Sequence, residues 1–145
     1  LTNLPKPVPG LVIRYSHLWA REAASGKVEG TKDRPCAIIL AVETGRGHKV
    51  VALPVTHRPP SPDKPAIEIP AETKRRLGLD ADISWIVLNE ANHFAWPGYD
   101  LRPTTPGDLS SVAYGLLPAS FFRAVRDAFV AAHRARRTQL TDRSE

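Results

Sequence analysis

Short apolar runs separated by polar stretches rich in Pro and Gly dominate the chain, and their spacing is that of strands. Leu1 to Pro9 carries Pro5, Pro7 and Pro9, which fix φ and remove donors, so it reads as an extended lead-in. Gly10 to Tyr15 follows as a first strand. Ser16 to Thr31 is polar, punctuated by Gly26 and Gly30, and reads as a long loop holding His17 and Trp19. Cys36 to Val42 is a continuous β-rich run that ends at the turn signal Thr44-Gly45-Arg46-Gly47, with Lys49 to Val55 as its hairpin partner.

The prolines of Arg58 to Pro65 keep that stretch out of a sheet interior. Ala66 to Ile69 alternates as a short strand, and Pro70 to Leu77 suits a short helix stopped by Gly78. Ile83 to Leu88 is another strand, Asn89 to Trp96 either extends the sheet or leaves it, and Trp96 to Leu117 is irregular. From Pro118 on, Phe121, Phe122, Val125, Ala128, Phe129 and Ala132 share one helical face. The pattern predicts a mainly β fold: a small SH3-like antiparallel barrel or curled sheet of roughly five to seven strands, with a short helix and a C-terminal helix. One domain is expected over residues 1–145, with 1–9 as lead-in and 134–145, including Arg134, Arg136 and Arg137, fraying into solvent.

Composition adds a bias in charge. A net charge of +5 and a pI of 9.7 favour a polyanionic partner, nucleic acid or an acidic protein segment. Cys36 is the only cysteine, so no intramolecular disulfide can form, and its place at the head of a strand suits a packed thiol. With no secretory h-region and no apolar run long enough to cross a bilayer, the expected setting is the cytoplasm, away from membranes. The chain has no Met, so Leu1 is expected to follow a removed start.

Phosphate-binding loops, dinucleotide fingerprints, HExxH and Cys/His metal spacings are all missing, and the five His residues are scattered. No metal or cofactor is expected. Two junctions remain. Lys32-Asp33-Arg34-Pro35 ends a cationic loop at the start of a strand, and Leu53-Pro54-Val55-Thr56-His57-Arg58 ends a strand at the start of a loop. Cleaving RNA through its own 2′-OH asks for little: a proton acceptor, a proton donor and cations on the phosphorane. Arg34 suits the phosphate with its planar, permanently charged fork. Thr56 can hold the phosphate or the attacking group, and His57 suits proton transfer. Neighbours on a strand face opposite sides, so Thr56 and His57 share a pocket only if the strand ends there, as Pro59-Pro60 suggests.

These residues resemble the PemK/MazF family of toxin endoribonucleases, from about Gly10 to Trp96. Gly26 to Pro35, with Glu29, Gly30 and Arg34-Pro35, is similar to the family's Gly-Glu-Gly-Arg-Pro loop, and Leu53-Pro54-Val55-Thr56 to its strand ending in Pro-x-Thr. The resemblance implies the plasmid-maintenance toxin fold, a homodimer, and metal-independent, sequence-selective cleavage of single-stranded RNA to a 2′,3′-cyclic phosphate. It implies Arg34 and Thr56 as catalytic residues, joined by His57 from its chemistry. A cognate antitoxin with an acidic, disordered tail is implied as partner. Lys27, Glu29, Lys32, Arg58 and His17 are the candidate RNA contacts. The long loop with His17 and Trp19, and His57 itself, depart from the family's shorter members. A non-enzymatic binding module of small-barrel architecture, including a DNA-gyrase poison, is the alternative.

Overall fold

A long hairpin carries the fold. In the computed structural model, which describes residues 4–135 and 138–143, β2 (Arg34–Thr44) turns at Gly45-Arg46 into β3 (Gly47–Thr56). The two pair antiparallel from Cys36↔Pro54 to Thr44↔Gly47, with a register shift between Ile38 and Leu40. Gly47 takes φ +136, a conformation that L side chains rarely adopt, so the turn requires glycine there. Around the hairpin stand β1 (Leu11–Tyr15), β4 (Ala66–Glu68), β5 (Trp85–Val87), β6 (Glu90–Trp96), β7 (Ala113–Leu116) and β8 (Gln139–Asp142). The helices are α1 (Ala20–Ala24), α2 (Ala71–Leu77) and α3 (Ala119–Arg134).

The sheet order is β4-β5-β3-β2-β1-β7, and β3 also pairs β6, which in turn pairs β8. Eight strands thus replace the expected five to seven, and the sheet does not close among the described residues. All pairs are antiparallel except β6 with β8. β3 is the branch point: His48 to Ala52 pair with β6, whereas Val55 and Thr56 pair with β5.

Near its open end both faces of the hairpin are buried, which explains the continuous apolar sequence there, whereas Leu40 and Val42 towards the turn are exposed. Ala37, Ile39, Val51, Leu53 and Val55 join one core with Val12, Ile86 and Val125. Cys36, Ile38, Val50 and Ala52 join the other with Ile13, Tyr15, Phe94 and Trp96. α3 covers the first core with Phe121, Phe122, Val125, Ala128 and Phe129, the face that its 3.6-residue period predicts. α2 ends at Gly78, which takes φ +72, as expected of a helix stop.

Two expectations change. The loop from Ser16 to Thr31 contains α1 and a buried entrance: Ser16, His17, Leu18 and Trp19 are all inside. The segment expected to fray instead continues α3 through Arg134 and then forms β8. It is held because Arg143, just beyond β8, buries its guanidinium against the Ser16 carbonyl (2.8 Å), Asn92 Oδ1 (2.9 Å) and Asp100 Oδ2 (2.7 Å). Arg136 and Arg137 lie outside the described residues, as do residues 1–3 of the lead-in. No helix among the described residues is long and apolar enough to cross a membrane.

Candidate active site

Where β2 begins and β3 stops, the end of the sheet opens into a cavity of about 420 Å³. Arg34, Thr56 and His57 all line it, together with Lys32, Arg14, Lys74, Asp80, Ser84 and Tyr114. The strand does end at Thr56, which frees His57 from strict alternation. Continuing the β2–β3 register two residues past Cys36↔Pro54 sets Arg34 opposite Thr56.

Arg34 is half-buried. One Nη1 hydrogen bonds to the Val55 carbonyl at 3.2 Å, and the guanidinium carbon lies 5.1 Å from the Trp19 ring centroid, a cation–π contact. Its Nε is buried with no hydrogen-bond partner. Burial draws its pKa below the ordinary arginine value, yet a guanidinium keeps its charge at neutral pH. The nearby carboxylates are engaged elsewhere: Asp33 faces Arg102 (3.4 Å) and Arg14 (4.0 Å), and Glu29 faces Arg102 (3.9 Å). Arg34 is therefore not held by the acidic residues beside it in sequence. Its charge is available to a ligand.

Thr56 Oγ1 accepts the Arg58 amide at 3.2 Å, a local bond that ends the strand and leaves the hydroxyl proton free to donate. His57 Nε2 lies 2.8 Å from Asp80 Oδ2. The other oxygen of Asp80 accepts from Lys74 Nζ at 2.6 Å. Lys74 also donates to Ser84 Oγ at 2.6 Å and to the Asp82 carbonyl. The Lys74 bond, ahead of the smaller contribution from His57, holds the Asp80 carboxyl below its usual range. Asp80 is thus an ionised acceptor, so neutral His57 carries its proton on Nε2 and offers the lone pair of Nδ1. Across the cavity, Arg14 hydrogen bonds to the Tyr114 phenol, and burial raises the Tyr114 pKa, keeping the phenol protonated.

Lys32 lines the cavity, and Arg58, which follows His57 in the chain, is exposed. The other candidate RNA contacts lie apart. Lys27 borders a separate hollow of about 260 Å³ with Val28 and Arg143, and Glu29 stands outside the cavity beside Arg102. His17 requires a correction: it is 1% exposed and cannot touch RNA in this conformation. Neither ring nitrogen has a hydrogen-bond partner, and the ring packs edge-on against Trp19 at 4.8 Å. Desolvation, helped by Arg34, Arg143 and Lys64, pushes its pKa down to about 3. His17 is a neutral prop beneath the Trp19 that Arg34 leans on. Cys36 is fully buried, and its thiol is pushed up to about 12 by desolvation, so it is inert as expected.

Lys74, Asp80, Arg14 and Tyr114 were not singled out from sequence. His57, Asp80 and Asp82 place donor atoms within 4.8 Å of one another, an arrangement that suits a metal. The Lys74 ammonium, already bonded to Asp80 and to the Asp82 carbonyl, supplies a cation at that spot. No family model matches the chain, and no curated protein matches it with significant similarity.

Proposed function

We propose that this cavity cleaves single-stranded RNA at a phosphodiester bond, using the adjacent 2′-OH as nucleophile and no metal. The observation that carries the reading is the convergence of Arg34, Thr56 and His57 on one open cavity, with His57 backed by an ionised Asp80. Arg34 binds the non-bridging oxygens and stabilises the charge that grows on them. Thr56 donates its hydroxyl to the same phosphate. His57 Nδ1 takes the 2′ proton as the 2′ oxygen bonds to phosphorus. The bond to the 5′ oxygen then breaks, and that oxygen takes the phenolic proton of Tyr114. The products are a 2′,3′-cyclic phosphate and a free 5′-OH.

The resemblance to PemK/MazF toxins and the net charge of +5 extend this reading. The protein acts as a cytoplasmic toxin and a homodimer, and an acidic antitoxin segment neutralises it by covering the cationic cavity. The SH3-like barrel of that family belongs to the same proposal, with the open sheet seen here as the framework.

Purified protein incubated with a long RNA in EDTA should produce discrete fragments ending in cyclic phosphate, and Arg34→Ala should cut their yield by about 10²–10³-fold while circular dichroism stays unchanged. Intact RNA after incubation with well-folded wild type would overturn the reading. Gyrase-dependent DNA breaks that survive Arg34→Ala would replace it with the binding-module alternative.

A further inference from the structure

The register carries the site further across the sheet than the cavity does. Thr56 pairs with Trp85 in β5, and Trp85 pairs with Glu68 in β4. Arg34, Thr56, Trp85 and Glu68 therefore form one row running over four neighbouring strands, about 4.8 Å apart from strand to strand. Side chains in such a row point to the same face of the sheet. Their chain neighbours point the other way: Val55, Ile86 and Ile67 all pack in the core that α3 covers. Trp85 is thus turned away from that core. It belongs to neither buried cluster and is partly exposed.

The chain has three tryptophans, and the other two have clear structural duties. Trp96 sits in the second core, and Trp19 is buried beneath Arg34 and Lys64, whose charges lie 5.1 and 4.2 Å from its ring centroid. Trp85 belongs to neither core and is more exposed than the other two. It stands next to Thr56, one strand further from Arg34, with the exposed Glu68 beyond it.

We propose that Trp85 is a stacking platform for the nucleobase next to the phosphate held by Arg34 and Thr56, and that Glu68 reads the edge of that base. Aromatic rings bind bases of single-stranded RNA through their faces, beside cations that track the backbone. A carboxylate accepts hydrogen bonds only, so Glu68 favours bases that present an exocyclic amino group, namely cytosine, adenine or guanine, over uracil, whose N3–H lies between two carbonyl oxygens that repel a carboxylate. The proposal rests on the ribonuclease reading for the identity of the polymer, and it adds the binding site that makes cleavage selective.

The test uses a 2′-O-methyl oligoribonucleotide, which binds but has no nucleophile, together with an unmodified RNA for cleavage. Trp85 is the most accessible of the three indoles, so the 2′-O-methyl oligomer should quench wild-type tryptophan emission. Trp85→Leu should remove that quenching and weaken binding roughly 5- to 150-fold, whereas Trp85→Phe, which keeps an aromatic face, should restore most of the affinity. Glu68→Gln should redistribute the cut sites towards uracil. Unchanged affinity in Trp85→Leu, or quenching that persists without Trp85, would overturn the proposal while leaving the nuclease reading intact. Quenching by the oligomer with no cleavage of the unmodified RNA would keep the platform and sink the nuclease.

Discussion

Two buried cations organise this protein, and they do different work with similar parts. Lys74 sits with its side chain 6% exposed and gathers Asp80, Ser84 and the Asp82 carbonyl. Arg143 is 3% exposed and gathers Asp100, Asn92 and the carbonyls of Ser16 and Val28. The difference lies in where each carboxylate's second oxygen goes. That of Asp100 is turned towards another cation, Arg102, at 3.8 Å, and the carboxylate is 10% exposed. That of Asp80 reaches out to His57, and the carboxylate is 52% exposed. A closed network fixes the chain. An open one leaves its charge facing the cavity.

The sharpest way to break this contrast is Arg143→Ala. It takes from the buried Asp100 carboxylate its 2.7 Å partner and should cost about 3–5 kcal/mol of stability in urea unfolding. A loss below 1 kcal/mol would mean that the network is not closed. Next in size, Arg34→Ala should leave stability almost unchanged and cut RNA cleavage by about 10²–10³-fold, the usual effect of removing one charge-stabilising donor.

His17 gives a pH-dependent comparison between core and cavity. Its pKa is about 3 in the folded chain against an ordinary 6.5, so the unfolded chain binds the extra proton throughout that interval. Its neutral burial therefore adds stability above pH 6.5 that is lost as pH falls towards 3. By pH 5 the loss should be about 2 kcal/mol. Urea titrations at pH 8 and pH 5 should show it, and His17→Leu should flatten the difference. A variant as acid-sensitive as wild type would place the proton uptake elsewhere.

The smallest effect is expected at Asp80→Asn, where His57 stays in place but loses its anionic anchor. A drop of about tenfold in kcat with KM unchanged is expected, the low end for a partner behind a catalytic group. Asp80→Glu should recover part of it. An equal change in KM would instead mark Asp80 as a substrate contact.

Much of the scaffold was legible because its signals are local. The hairpin, the α2 stop at Gly78 and the apolar face of α3 each follow from residues close in the chain. The end of the β3 strand at Thr56, which decides whether His57 can share the cavity, was also readable from Pro59-Pro60. What escaped depends on distant partners. β8 is a polar tetrapeptide, Gln139–Asp142, with no strand pattern of its own; β6 and Arg143 impose its conformation. Asp80 lies 23 residues from His57, so nothing local announces the pair. His17 was misread because its loop is polar in composition, whereas the segment from Ser16 to Trp19 is drawn inward by Asn92, which bonds both the amide and the carbonyl of Leu18. The row that ends at Trp85 and Glu68 became visible only once the strands had a register.

Arg143 also bears on how the chain is made. It contacts Ser16 across 127 residues, so on the ribosome the first strand emerges long before the group that locks it. At about 5–20 residues per second the nascent chain spends several seconds with Asn92 and Asp100 synthesised and their guanidinium still to come. During that interval the segment around His17 and Trp19, the seat of Arg34, has Asn92 to bond Leu18 but lacks the guanidinium that ties Ser16 and Val28 to Asp100. The buried seat of Arg34 is thus completed by a residue made 109 positions after Arg34 itself.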